Sequence, residues 1–376
     1  MLSLYIHIPF CVRKCPYCGF YSTPYSIKSA DEFVRGLELE ASRYKNDFSH
    51  RTFKSVYIGG GTPTTLSLPQ LRRLLMIVTG HFRLTDDVEW TVEANPNSVT
   101  TENLGLLRDC GVNRLSLGMQ SFSNDVLRIL GRPHDAEQAV RAFDLARNAG
   151  FKNIGIDLIY GVPGQTPGQW EESLGAAIAM RPEHISAYGL SLDEGSSYYR
   201  DAERGKFALP DEDIAAALYE RAVIMLRMTG YDRYEISNFS LSGFACRHNM
   251  NYWERGEYLG LGPGAWSFVA GKRWNNIADV AEYCGRLSSA RTSIEAQEIV
   301  GAEPAAREAI LLGLRTSKGL DLGVFEQTYG APFLRKLRNN AAPLGAAGLL
   351  QETEGSLRLT DRGILLSNEA LARLCV

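Results

Sequence analysis

The sequence predicts an α/β chain: a partial (βα)6, TIM-like barrel over residues 1–230, a connecting region over 231–304, and a mostly helical, winged-helix-like domain over 305–376. Three observations carry this. Short apolar runs rich in β-branched and aromatic residues alternate with helix-like stretches through the first 230 residues, the pattern of a parallel sheet. Each run ends in a polar or glycine-rich signal. The alternation then stops, and a compact helix-rich pattern closes the chain.

The elements follow in order. The run at 2–8 (LSLYIHI) leads into Cys11, Cys15 and Cys18. Residues 30–45 place Phe33, Leu37 and Tyr44 at helical spacing. The run at 54–59 (KSVYIG) enters GGGTPT, and 67–80 opens with SLPQL, a Ser N-cap with Pro soon after. The run at 88–93 (VEWTVE) ends in EANP with Glu93, before a helix over 101–110. The run at 113–118 (NRLSLG) ends in GMQS with Gln120, before a helix over 135–149. The run at 153–160 (NIGIDLIY) carries Asp157 into YGVPGQT, before a helix over 168–180. The run at 184–190 (HISAYGL) carries Tyr188, before a helix over 211–229. Glycines in GFKN and GYDR mark helix ends. In βα folds the C-terminal ends of the strands form the functional face. Six strands feeding one composite site favour a curved, barrel-like sheet over an open doubly wound one.

Residues 231–270 are aromatic- and glycine-rich, and 271–304 read as mixed and helical. From about 305, AAREAILLGLRT, DLGVFEQTYG and FLRKLRNNAAPLGAAGLL read as three helices, and QETEGSLRLTDRG as a hairpin. Winged-helix modules usually bind DNA, but the net charge is −3 and no basic run stands out, so no nucleic-acid partner is expected. No window reaches the roughly 18 apolar residues of a membrane span. The opening MLSLYIHIPF reads as a buried strand, not a signal peptide. A cytoplasmic protein with reduced thiols is expected.

Seven cysteines, three of them clustered, argue against a disulfide framework. Cys11, Cys15 and Cys18 have the spacing of thiolate metal ligands. Zinc normally takes a fourth protein ligand, and His7, inside the first run, is awkwardly placed for it. A [4Fe-4S] cluster on three cysteines makes different sense, because it leaves one iron open to a small molecule.

With GGGTPT and the six-strand pattern, this motif resembles the radical SAM superfamily. YIHIPFC, DLIYGVPGQT and LGPGAWS narrow the resemblance to its HemN-like branch, which holds oxygen-independent coproporphyrinogen III dehydrogenases and heme chaperones. The resemblance covers nearly the whole chain. It implies a cluster on Cys11, Cys15 and Cys18, with S-adenosylmethionine (SAM) on the open iron. Tyr5 matches the family tyrosine near cluster and SAM. Gly60, Gly61 and Thr62 match the loop that meets the SAM amino group. Glu93, Gln120, Arg132 and Asp157 match further SAM contacts. Asp157 also points away from Ile156 and Leu158, into the barrel, where an acid needs a partner. Ribose hydroxyls would serve.

Two departures separate this chain from the dehydrogenases. They carry an extra cysteine two residues after the third, where Phe20 stands here, and their N-terminal extension has no counterpart before the first run. HNMNYW, residues 248–253, matches the HNxxYW signature of the heme chaperones. The resemblance implies heme binding there. His248 offers an axial ligand, Asn249 accompanies it, and Tyr252 and Trp253 offer flat apolar surface. Cys246 is a second ligand candidate. The segment reads as an exposed loop holding heme apart from SAM. From the residues alone, a hydrogen-bonded loop of His248 and Asn249 under an aromatic cluster fits better, and it is the resemblance that favours heme. The expected function is a heme chaperone that delivers heme to respiratory proteins at the membrane, with no coproporphyrinogen turnover. A radical SAM dehydrogenase, or an enzyme on another substrate, stands as the alternative. A homodimer is left open.

Overall fold

The computed structural model describes residues 2–375. Six parallel strands carry the N-terminal part: β1 (Leu2–Ile8), β2 (Thr52–Gly60), β3 (Arg83–Ala94), β4 (Arg114–Gln120), β5 (Ile154–Tyr160) and β6 (His184–Gly189). All six expected runs are strands, each followed by an expected helix. The helix starts are written locally. Thr100, Asp135 and Thr166 each cap a helix whose third residue, Asn103, Gln138 or Gln169, bonds back to the cap, which satisfies two orphan N–H groups at each start.

The strands pair in sequence order but do not close into a ring. On the far side of β6 lie the short strands Asn238–Ser240 and Asp232–Arg233. On the far side of β1, Glu257–Leu261 runs parallel to it, and Trp266–Val269, Lys272–Asn276 and Ile294–Ile299 extend the sheet antiparallel. The connecting region therefore completes the main sheet. The helical expectation for 271–304 is corrected. Val280–Ser288 is helical there, two strands flank it, and the next helix begins only at Ala302.

The outward faces of the strands pack under the helices in one large core, with Leu4, Ile6, Val56, Ile58, Val92, Leu115, Leu117, Ile156 and Leu158 fully buried. The inward faces are polar: Ser3, Ser55, Glu89, Thr91, Arg114, Ser116, His184 and Ser186 are all buried. A polar barrel interior has to be satisfied by internal hydrogen bonds or by a ligand.

A second core lies between residues 306 and 374, built from helices Ala302–Gly313, Leu322–Tyr329, Ala331–Ala346 and Ser367–Leu374. The expected hairpin is present as Leu350–Thr353 and Ser356–Leu359. Glu308 ties this unit to the main sheet by accepting from Arg255 at 2.9 Å and Arg273 at 2.6 Å. Among the described residues, no helix is long and apolar enough to cross a membrane.

Candidate functional site at the open end of the barrel

The chain leaves β1 through Phe10 and Cys11, and a loop carries Cys15 and Cys18 back over the C-terminal ends of the strands. All three cysteines are free and line one cavity of about 420 Å³. Gly60, Gly61, Thr62, Glu93, Gln120, Arg132, Asp157 and Asn249 line it as well. Eleven of the expected site residues are thus brought together. Tyr5, His248, Tyr252 and Trp253 are not among the lining residues.

The glycine loop is required by its neighbours. A Cβ on Gly59 would lie 2.6 Å from the Glu93 carboxyl carbon, and one on Gly60, at φ 103°, would lie 2.4 Å from the His7 ring. Only glycine permits so close an approach there. Glu93 Oε2 accepts from the Gly60 N–H at 3.0 Å, and Oε1 accepts from the Tyr57 hydroxyl at 2.8 Å. Burial pushes the Glu93 carboxyl up to about 7, against the opposing Tyr57 hydrogen bond, with the nearby Asp157 adding to the rise. Asp157 accepts from Ser116 at 3.0 Å and Ser186 at 2.7 Å, and burial raises it too.

Arg132 reaches the cysteine loop. Its guanidinium donates to Cys15 Sγ at 3.4 Å, to the Gly118 carbonyl at 2.7 Å and to Asn95 Oδ1. Asn95 in turn donates to Thr62 Oγ1 at 2.7 Å, which lies 3.7 Å from Cys11 Sγ. One polar chain therefore joins two of the three thiols to the strand ends. Gln120 holds φ 68°, an uncommon backbone for a non-glycine residue and a form of strain found at functional sites.

His7 is fully engaged elsewhere. Its Nε2 lies 2.9 Å from the Tyr21 carbonyl and its Nδ1 2.9 Å from the Tyr5 hydroxyl. The carbonyl can only accept, so Nε2 carries the proton and Nδ1 accepts from Tyr5. That excludes His7 as a fourth metal ligand as placed. Among the described residues, no three His, Cys, Asp or Glu side chains converge as they do around a single ion. A four-iron cluster asks for less convergence, because each thiolate meets a different iron. The donor set fits such a group: three free thiols on one cavity wall, with a cationic guanidinium against one of them.

The expectation of an exposed loop at 246–253 is corrected. Arg247–Trp253 is a helix, and Cys246 and His248 are buried at 0% and 1% exposure. The cause is Glu89, near the lower end of β3. Its carboxylate accepts from the backbone N–H of Arg247 and of His248, both at 3.0 Å, and from Cys246 Sγ at 3.5 Å. Ser55 donates to Ser3 at 2.7 Å, so its oxygen accepts from His248 Nδ1 at 2.9 Å. His248 Nε2 then accepts from the Tyr252 hydroxyl at 3.0 Å. Burial, followed by the Arg114 charge, pushes the imidazole down to about 3, so the ring is neutral. Burial pushes the Cys246 thiol up to about 12, which disfavours the thiolate needed to ligate iron. The second half of that expectation also changes: Asn249, from the same helix, lines the cysteine-bearing cavity.

Several residues of this site escaped the sequence reading. Tyr57, Ser116, Ser186 and Arg114 all occupy inward positions of recognised strands, and period-two alternation marks those positions. Asn95 stands two residues after Glu93 in EANP. Glu89 gave no signal, because its partners lie more than 150 residues away in sequence.

The radical SAM superfamily model matches residues 5–177, and the HemN C-terminal domain model matches residues 302–366. The heme chaperone HemW of Bacillus subtilis is 35% identical over 98% of both chains. That of Mycobacterium tuberculosis (strain H37Rv) is 36% identical, over 99% of this chain and 94% of its own. The chain belongs to the HemW family. Escherichia coli HemW is 39% identical over 70% of this chain and 69% of its own. The solved structure of coproporphyrinogen III oxidase (HemN) from Escherichia coli, described as a radical SAM enzyme, superposes with a TM-score of 0.87 at 25% identity, covering 100% of this chain and 90% of that one. The radical SAM fold thus runs through a HemW-family chain, with the HemN-type unit at its C-terminus.

Proposed function

We propose that this protein is a cytoplasmic heme chaperone that carries a SAM-bound [4Fe-4S] cluster and delivers heme to respiratory hemoproteins at the membrane. The observation that carries the reading is the match, along essentially the full chain, to relatives named as heme chaperones. Phe20 supports it. This side chain is 63% exposed and lines the mouth of the cavity, at the position where the dehydrogenases place their extra cysteine.

In this reading Cys11, Cys15 and Cys18 hold the cluster, which supplies an open iron for chelation of SAM. Glu93 and the Gly60–Thr62 loop accept the amino end of SAM. Asp157, with Ser116 and Ser186 fixing its two oxygens, exchanges a hydroxyl partner for a ribose hydroxyl. Arg132 holds the Cys15 sulfur and carries positive charge toward the thiolates. Gln120 closes the cavity from the end of β4, and Tyr5 buttresses the glycine loop through His7.

Heme is assigned to the 246–253 segment, with His248 Nε2 as its iron ligand. The Ser55 hydrogen bond leaves the lone pair on that nitrogen, and an orienting partner on the other nitrogen is the usual arrangement for a metal-binding imidazole. Tyr252 must move off Nε2 first. Asn249, Tyr252 and Trp253 frame the site. Anaerobic reconstitution followed by heme titration tests the proposal. A Soret band that saturates near one heme per chain, without conversion of coproporphyrinogen III under reducing conditions, is expected. Turnover of coproporphyrinogen III overturns it in favour of the dehydrogenase.

A further inference from the structure

We propose that the floor of the barrel cavity, between Arg114, His184 and Asn249, is a separate binding subsite for a small carboxylate or similar oxyanion.

Arg114 is the largest charged side chain inside the barrel and is 1% exposed. Among the described residues its guanidinium makes a single hydrogen bond, from Nη1 to Thr91 Oγ1 at 3.4 Å, and its Nε–H has no partner. A guanidinium has five N–H donors, so most of its donor capacity is unspent. His184, also 1% exposed, bonds Tyr234 through Nε2 at 2.8 Å and leaves Nδ1 without a partner. Both side chains line the same cavity, as does Asn249. Gly155, on the inward face of β5, lies beside both nitrogens. A Cβ there would lie 3.3 Å from His184 Nδ1 and 3.4 Å from Arg114 Nη2, so the two nitrogens border one small space that the missing side chain keeps open.

The carboxylates of the interior do not fill this role. Glu89 bonds the Arg247–Trp253 helix, Glu93 bonds Tyr57 and Gly60, and Asp157 bonds Ser116 and Ser186. They oppose the Arg114 charge through space, while its donors apart from the one to Thr91 stay unmade. Buried unmade donors cost free energy that a bound acceptor recovers, and a guanidinium presents carboxylates with a matching fork. Arg132, another guanidinium on the cavity, is half-buried and already donates to Cys15, Gly118 and Asn95, leaving its Nε–H without a partner among the described residues. A cation such as a sulfonium or ammonium, arriving beside Glu93 and Asp157, would offset those two charges and strengthen anion binding below. The subsite therefore favours an anion that enters together with SAM.

The test is calorimetric titration of sodium acetate into the anaerobically reconstituted protein, alone and saturated with SAM. Saturable binding of one acetate per chain is expected, weakened at least tenfold in Arg114→Met and in Gly155→Ala. The Gly155 variant leaves the guanidinium in place and fills only the space beside it, so it stays informative if Arg114→Met does not fold. Acetate that adds to SAM identifies a second small molecule as the occupant. Acetate that competes with SAM overturns a separate subsite and assigns these groups to the carboxylate of SAM itself. Absence of acetate binding, or equal affinity in wild type and Gly155→Ala, overturns the proposal. Heme titration of the same proteins without acetate reads the chaperone function separately.

Discussion

Replacing Glu93 by Gln should make the cofactor-free chain more stable than wild type at neutral pH and not at acid pH. Glu93 is half-buried on the cavity wall, and its carboxyl is pushed from an ordinary 4.5 to about 7, chiefly by burial. A carboxyl with a raised folded-state value holds its proton more tightly folded than unfolded. Its contribution is favourable below about 4.5 and is lost as pH rises toward about 7. At about 1.4 kcal/mol for each unit, the folded chain loses about 3 kcal/mol across that window and nothing further above it. Gln cannot ionise and escapes the loss. It keeps one acceptor oxygen, so one of the two bonds from Tyr57 and Gly60 survives, at a pH-independent cost of about 1 kcal/mol. The variant should therefore be slightly less stable than wild type near pH 5 and about 2 kcal/mol more stable near pH 8. Asp157 adds in the same direction, because removing the Glu93 charge relieves it as well. Urea unfolding of both proteins across this range measures the difference. A difference that stays flat with pH refutes the account of Glu93 as a carboxylate kept ionised only at a cost, and with it the reason for expecting a cationic ligand beside it.

Three further outcomes are expected. The triple variant Cys11→Ala, Cys15→Ala, Cys18→Ala should lose the roughly four irons per chain of a reconstituted cluster, as iron analysis would show; unchanged iron places the cluster elsewhere. Glu89→Ala leaves the N–H groups of Arg247 and His248 and the Cys246 thiol without their acceptor. It should lower the stability read by urea by about 3 kcal/mol, and an unchanged midpoint would mean that the helix is not seated on Glu89. His248→Ala should weaken heme binding and shift the Soret band with iron content unchanged, and a wild-type titration would remove this imidazole as the ligand.

The barrel was legible because its strands and helices differ in hydrophobic period and because the helix starts are spelled in capping residues such as Thr100, Asp135 and Thr166. The helices Asn124–Ile129 and Ser197–Glu203 were not, being too short to develop a period. Glu257–Leu261 was missed for another reason: it is a strand by virtue of its partner β1, some 250 residues earlier. The polar strands Lys272–Asn276 and Ile294–Ile299 lie at the sheet margin, where little apolar burial is demanded of them. At the site, the cysteines, the glycine loop, Glu93 and Asp157 announce themselves by residue type at strand ends. The burial of His248 does not, since it depends on Ser55 and Glu89 from two other strands.

In the proposed reading, the position of the Arg247–Trp253 helix joins two binding roles that the sequence alone keeps apart. One of its residues, Asn249, forms part of the cavity floor. The preceding residue, His248, is buried against Tyr5, Tyr57 and Tyr252. In the proposed reading, heme meets His248 only after Tyr252 and the helix end that carries it move outward, because His248 is 1% exposed and Tyr252 bonds its Nε2. A ligand shifts such an equilibrium only by the difference in its affinity for the two states. The iron–imidazole bond must therefore outweigh the Ser55, Tyr252 and Glu89 contacts it disrupts. Movement of the helix also withdraws Asn249 from the cavity, so whatever occupies the cavity floor opposes the opening. By reciprocity, an occupant that holds the floor closed weakens heme binding by the same factor by which heme weakens that occupant. If heme binds as proposed, the shared helix therefore couples its binding to the occupancy of the cavity floor.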